Sequence, residues 1–325
     1  MKTAMDDWSP FPNSRDTSRF CRLVFDELAK RGMAFSGTPP KLESPAGKVL
    51  YLDNLALNCS GMKRSKWPPI VGEFLDTIAY LDQIEDFGTQ SPDVARASLR
   101  LRLNVDPVGD VFGDVAGVNG ITTLQASHPN DPFAAVEVLS RPALPGTSWW
   151  LNMQIPGAAF GVSADHLAGW GIGQEEAFEL ARVHAMGTEL PPVYEMGPVR
   201  MVDSASMFTH QAVLRPQAFL PDAPYGWFVA VPSREHVLAV RAMGTDRGLA
   251  DLIELVRAAF EVAPMSGYPL SLSPWYVPPT GIGIFGEDAE PIQFSFDPFD
   301  GTVEGVRFGP LVHALFKTYE ENAAA

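Results

Sequence analysis

The clearest pattern of apolar and polar positions lies between Tyr225 and Phe260. Two apolar runs, residues 227–231 and 236–242, flank the polar turn Ser233-Arg234-Glu235. The runs are rich in Val and aromatics and do not alternate cleanly with polar residues, which predicts strands covered on both faces. The segment that follows sets Leu249, Leu252, Ile253, Val256 and Phe260 on one helical face, with Asp251, Glu254 and Arg257 elsewhere. The pattern predicts a buried hairpin with a helix laid on it.

Upstream, Phe20, Leu23, Val24 and Leu28 form the stripe of a helix over residues 16–31, with Asp16 as N-cap and Gly32 just past the end. Extended pieces follow near Lys41-Leu42 and over 49–57. Pro68-Pro69 opens a helix that runs to Leu81, because proline lacks the N–H that a first turn leaves unsatisfied. In 99–105, Leu99, Leu101, Leu103 and Val105 alternate with Arg100, Arg102 and Asn104, the pattern of a half-exposed strand; residues 149–155 repeat it. Residues 174–185 predict a helix, 270–276 and 291–296 two further strands, and Pro310 the start of a last helix that buries Leu311, Leu315, Phe316 and Tyr319. The expected fold is α+β, with mainly antiparallel sheets and helices packed on them. Three units are expected: a helix-strand-helix unit over 1–90, a strand-pair and helix unit over 91–190, and a hairpin-helix-sheet unit over 191–325.

Charge narrows the function classes. The 39 acidic and 24 basic side chains give a net charge of −15, a field that repels nucleic acid and anionic membranes. The densest basic cluster, Lys63, Arg64 and Lys66, is too small for a nucleic-acid footprint. No apolar stretch approaches membrane-spanning length and the N-terminus has no apolar signal core, so the expected location is cytoplasmic. Cys21 and Cys59 have no CxxC spacing and read as small hydrophobes.

The segments 20–81 and 159–190, the latter with Asp165, Trp170, Glu176 and Ala181, together with the hairpin phrase FVAVPSREHVLAV, resemble the YtpQ-like bacterial proteins of uncharacterised function. Gly169-Trp170-Gly171 and Ala230-Val231-Pro232 fall in the order that family shows. The chain departs from it in the long loop 106–130 and in His184, where an amide is more usual. The resemblance implies a bacterial cytosolic protein and supplies no catalytic residues.

Chemistry-bearing patterns are sparse. The six histidines (128, 166, 184, 210, 236, 313) share no metal-ligand spacing. His236 and His313 read as surface residues and His184 as a hydrogen-bonded core residue. No G-x-S-x-G is present. The run 281–286 matches G-x-G-x-x-G, but no helix can follow it, so the phosphate-binding logic fails. Asp106, Asp110 and Asp114, and the phrase Asp297-Pro298-Phe299-Asp300-Gly301, read as solvated turns rather than calcium loops. No metal site or cofactor is expected. Trp149, Trp150, Trp275 and Tyr276 are the candidate binding residues, because adjacent aromatics on a strand place one ring on each face.

The leading expectation is therefore a non-catalytic binding protein, immunity-like or regulatory, that meets a basic protein through an acidic, aromatic-bearing surface. One alternative is an enzyme whose site gathers Asp165, His166, Glu195 and His210 from separate units. Another is a small-ligand-binding module.

Overall fold

A computed structural model describes residues 8–45, 49–83, 90–105, 138–155, 158–204, 206, 208–263, 270–286, 288–296 and 303–323. The loop 106–130, His128 and the phrase 297–301 lie outside the described residues. The chain has an α+β fold and divides into two units, one formed by residues 1–89 with 155–159 and the other by 90–154 with 160–325.

In the first unit, α1 (Ser14–Lys30) is capped by Asn13, whose side chain accepts the Asp16 N–H at 3.0 Å. Asp16, the expected cap, is instead paired with Arg64 at 2.7 Å. Three short strands, β1 (Ser36–Thr38), β2 (Lys41–Glu43) and β3 (Val49–Tyr51), form an antiparallel sheet. The extended run expected over 49–57 stops after β3 and becomes α2 (Asp53–Ser60). The reason is visible in the spacing: Leu52, Leu55, Ala56 and Cys59 are all buried, and their intervals of three and four suit a helix. Helix α3 (Trp67–Gln83) closes the unit. Its core joins Phe20, Val24 and Leu28 to Leu42, Val71 and Leu75, with Phe11 and Trp67 rings 4.9 Å apart.

The second unit begins with α4 (Pro92–Ser98), capped by Ser91, and β4 (Leu99–Val105). Strand β4 pairs with β6 (Thr147–Ile155), which pairs with β5 (Ser140–Pro142) and β7 (Ala158–Gly161). Helices α5 (Ala164–Trp170) and α6 (Gln174–Gly187) follow. A six-stranded antiparallel sheet comes next in the chain: β8 (Val193–Met196), β9 (Val199–Asp203), β10 (Trp227–Ser233), β11 (His236–Arg241), β12 (Trp275–Val277) and β13 (Glu290–Pro291). Its spatial order is β13-β12-β10-β11-β9-β8. Every residue of β10 is buried, as the unbroken apolar run predicts. Pro232 sits in this central strand because the β10–β11 register shifts between Ala230 and Ser233, a bulge that removes the need for its missing N–H.

Helix α7 (Asp246–Val262) lies on the hairpin, as expected, but its buried face is Leu252, Leu255, Val256, Ala259 and Val262; Ile253 and Phe260 are only half-buried. Gly226 turns the chain into β10 with φ +87°, and a Cβ there would lie 2.1 Å from the Val277 carbonyl. Strands β14 (Gln293–Phe296) and β15 (Val303–Arg307) pair with each other, and α8 (Pro310–Ala323) follows. Its buried contacts come from Val312 and Leu315, whereas Leu311 is exposed.

The regions 91–190 and 191–325 share this second unit. The 3-10 turn Thr209–Leu214 accounts for it: Gln211 donates to the Leu101 carbonyl at 2.5 Å, and His210 accepts the Leu103 N–H at 3.0 Å. Backbone groups of β4 are thereby tied to residues more than a hundred positions away.

Candidate functional site

The tip of the β10–β11 hairpin is a buried polar cluster. Ser233 and His236 flank the two-residue turn Arg234-Glu235 and face each other across it. Ser233 is fully buried, and its Oγ lies 2.7 Å from His236 Nδ1 and accepts the Glu235 N–H at 3.2 Å. On the neighbouring strand β9, Asp203 is directly opposite His236, with Oδ1 3.3 Å from His236 Nε2. Burial lowers the His236 pKa, opposed by the nearby charges of Asp203 and Glu235. His236 is thus a core residue and not the surface residue its position beside a turn suggested. Its strand runs between β9 and β10 in the interior of the sheet.

Ser233, His236 and Asp203 reproduce the residue types of a serine-hydrolase relay, but not its working geometry. A nucleophile must meet substrate, and Ser233 has no exposed surface. Its oxygen is occupied holding the turn. The arrangement is a lock on the hairpin end.

His210 bonds to the backbone of the same tip, its own backbone N–H donating to the Arg234 carbonyl at 3.0 Å. Its Nε2 accepts from Leu103 N–H, so Nδ1 carries the proton and donates to the Arg234 carbonyl at 3.3 Å. Burial, reinforced by the positive charges of Arg234 and Arg102, pushes its pKa down to about 3. Arg234 is itself buried and donates to Asn104 Oδ1 at 3.0 Å. A neutral histidine, an amide and a guanidinium therefore tie the tip to β4.

The four candidate catalytic residues are not brought together. Asp165 is an exposed residue in the first turn of α5. His166 accepts the Ser163 N–H in a capping box and stacks on Trp170 at 5.8 Å. Glu195 pairs with Arg200 at 2.9 Å on the surface of the β8–β9 hairpin. His210 is buried at the hairpin tip. Among the described residues no hydrogen bond or ion pair joins any two of them, and no group of three His, Cys, Asp or Glu side chains could hold a metal ion.

The aromatic candidates also separate. Trp149 and Trp275 are fully buried, and their indole N–H groups donate to the carbonyls of Phe285 (2.7 Å) and Pro145 (3.1 Å). Tyr276 is buried and donates to the Tyr225 carbonyl at 2.9 Å; burial raises its pKa, helped by the charge of Glu290. Trp150 alone of the four is exposed, at 37%. Both sides of β12 are covered, so adjacent rings there reach no solvent.

Other exposed apolar side chains are scattered, among them Met62, Val94, Ile284 and Leu311. On the edge strand β8, Val193 and Tyr194 are 41% and 48% exposed. Val183 and Met186 are exposed on α6, one turn apart. The C-terminal carbonyls of that helix are held by Arg215, which donates to Met186 and Thr188. No single residue motif announces this surface; an apolar pair after Pro191-Pro192 was its only sequence trace.

A groove of about 540 Å3 lies beside the other edge of the sheet, lined by Pro278, Thr280, Asp288, Glu290 and Leu311 among others. Both Glu290 oxygens are engaged by the first N–H groups of α8, Leu311 at 2.8 Å and Val312 at 3.2 Å. This carboxylate caps a helix. The run 281–286 forms turns with no helix after it, and Gly286 packs against Leu144.

Comparison with protein-family models, with curated proteins and with solved structures finds no match to this chain. Among the described residues no helix is long and apolar enough to cross a membrane.

Proposed function

We propose that the chain is a non-catalytic cytosolic binding protein, immunity-like or regulatory, that engages a basic protein partner through an acidic surface bearing exposed aromatic and aliphatic side chains. The observation that carries this reading is the exposure of the consecutive residues Val193 and Tyr194, one on each face of the edge strand β8. Exposed apolar side chains on an edge strand suit recognition of another chain by pairing. Charge supports the choice of partner. From Glu189 to Asp203 the sequence carries three carboxylates and one arginine, within a chain of net charge −15. Glu195 remains 72% exposed despite its pairing with Arg200, and surface pairs of this kind hold weakly.

The resemblance to YtpQ-like proteins and two cysteines not joined in a disulfide support a bacterial cytosolic setting. Tyr194 and Val193 supply the apolar part of that surface.

The test is affinity capture from a bacterial lysate with the wild-type chain and with a Val193→Ser, Tyr194→Ser double variant. Basic proteins retained by the wild type alone, and released by raised salt, support the reading. Equal retention by both, or retention insensitive to salt, overturns it.

A further inference from the structure

We infer that this surface recognises its partner by strand addition: an extended segment carrying basic side chains adds to β8 as a seventh strand. This inference rests on the proposed binding function and specifies how it operates.

The hydrogen-bonding parity of the β8–β9 hairpin supplies the argument. Gly197-Pro198 forms its two-residue turn, with Gly197 at φ +61°, so Met196 and Val199 are the first pair across it. Facing residues in an antiparallel ladder alternate between bonded and non-bonded pairs. The Asp203 N–H bonds to the Pro192 carbonyl at 3.4 Å, which makes 192/203, 194/201 and 196/199 the bonded pairs. The N–H and C=O groups of Val193 and Glu195 therefore point away from β9, across the open edge. Two donors and two acceptors stand there in the spacing that another strand requires.

Side chains define what that strand carries. Val193 and Glu195 lie on one face of β8, and Tyr194 lies on the other. The incoming segment thus meets the Glu195 carboxylate, which is shared with Arg200 yet 72% exposed, beside an apolar side chain on one face and a phenol ring on the other. A segment alternating lysine with valine satisfies both. A second copy of this chain is disfavoured as the occupant, because two molecules of net charge −15 repel. The strand is short, and it is preceded by Pro191-Pro192, devices that limit indiscriminate edge pairing.

The experiment titrates the full chain with a synthetic peptide of alternating lysine and valine and reads amide hydrogen exchange residue by residue. Near saturation, exchange at Val193 and Glu195 is expected to slow by roughly tenfold, while Tyr194, already bonded to β9, changes little. N-methylation of alternate peptide amides leaves charge and side chains in place and is expected to abolish binding. Val193→Pro removes one outward N–H and no ladder bond, so it weakens binding without loss of fold. Binding that survives both changes overturns strand addition and leaves the wider binding reading standing. Absence of any peptide binding, together with a concentration-dependent dimer, assigns the edge to a second copy and overturns the inference.

Discussion

His210 offers the sharpest physical test of the hairpin-tip cluster. Folded, it stays neutral down to about pH 3; unfolded, it titrates near its ordinary value of 6.5. A histidine with a depressed pKa contributes stability that is complete above the unfolded value. As pH falls below 6.5, only the unfolded chain takes up the proton, so stability drops by about 1.4 kcal/mol per pH unit until the folded pKa is reached. At about pH 4.5, two units into that window, the loss assigned to His210 is about 3 kcal/mol. Carboxylates titrate over the same range in so acidic a protein, so the comparison must be differential. Urea unfolding of the wild type and of His210→Gln at about pH 7.5 and about pH 4.5 isolates the histidine. The variant begins less stable by roughly 1–3 kcal/mol, because the Leu103 N–H loses a well-placed partner, but it loses about 3 kcal/mol less on acidification. Identical losses in the two proteins would refute the neutral, buried histidine.

Further outcomes follow from the same geometry. Gly226→Ala drives a methyl into the Val277 carbonyl at a positive φ, so chemical denaturation should show a loss of at least about 2 kcal/mol; an unchanged midpoint contradicts that packing. Ser233→Ala removes the oxygen that serves both His236 and the Glu235 N–H, at a cost of about 1–3 kcal/mol in the same assay. A fluorophosphonate probe should leave native Ser233 unlabelled, and labelling there would contradict its burial. Burial pushes the Cys59 thiol up to about 12, so mass spectrometry after iodoacetamide at mildly alkaline pH should find it alkylated only once the chain is unfolded.

The sequence displays the elements whose information is local. Alternation in 99–105 corresponds to β4, whose Leu99, Leu101 and Leu103 are buried. The paired apolar runs correspond to β10 and β11. Period alone misled over 49–57, where a strand reading overran the three- and four-residue spacing of Leu52, Leu55, Ala56 and Cys59. The polar cluster was illegible for a different reason. Asn104 and Arg234 are 130 residues apart, and His210 and Leu103 are 107 apart, so their meeting depends on how the sheets stack. Ser233 and His236 were within reach of inference, since residues flanking a two-residue hairpin turn face each other. Their burial was not, because a polar turn ordinarily lies in solvent. Trp149 and Trp275 show the converse: large apolar rings on strands are fixed by covering layers that no local pattern reveals.

The most direct test of the binding surface compares two peptides on the wild-type chain by isothermal titration calorimetry, one alternating lysine with valine and the other glutamate with valine. The lysine peptide is expected to bind measurably, more weakly as salt rises, and the glutamate peptide not at all. Equal affinity for both, or binding of neither, contradicts an acidic strand edge built to receive a basic partner.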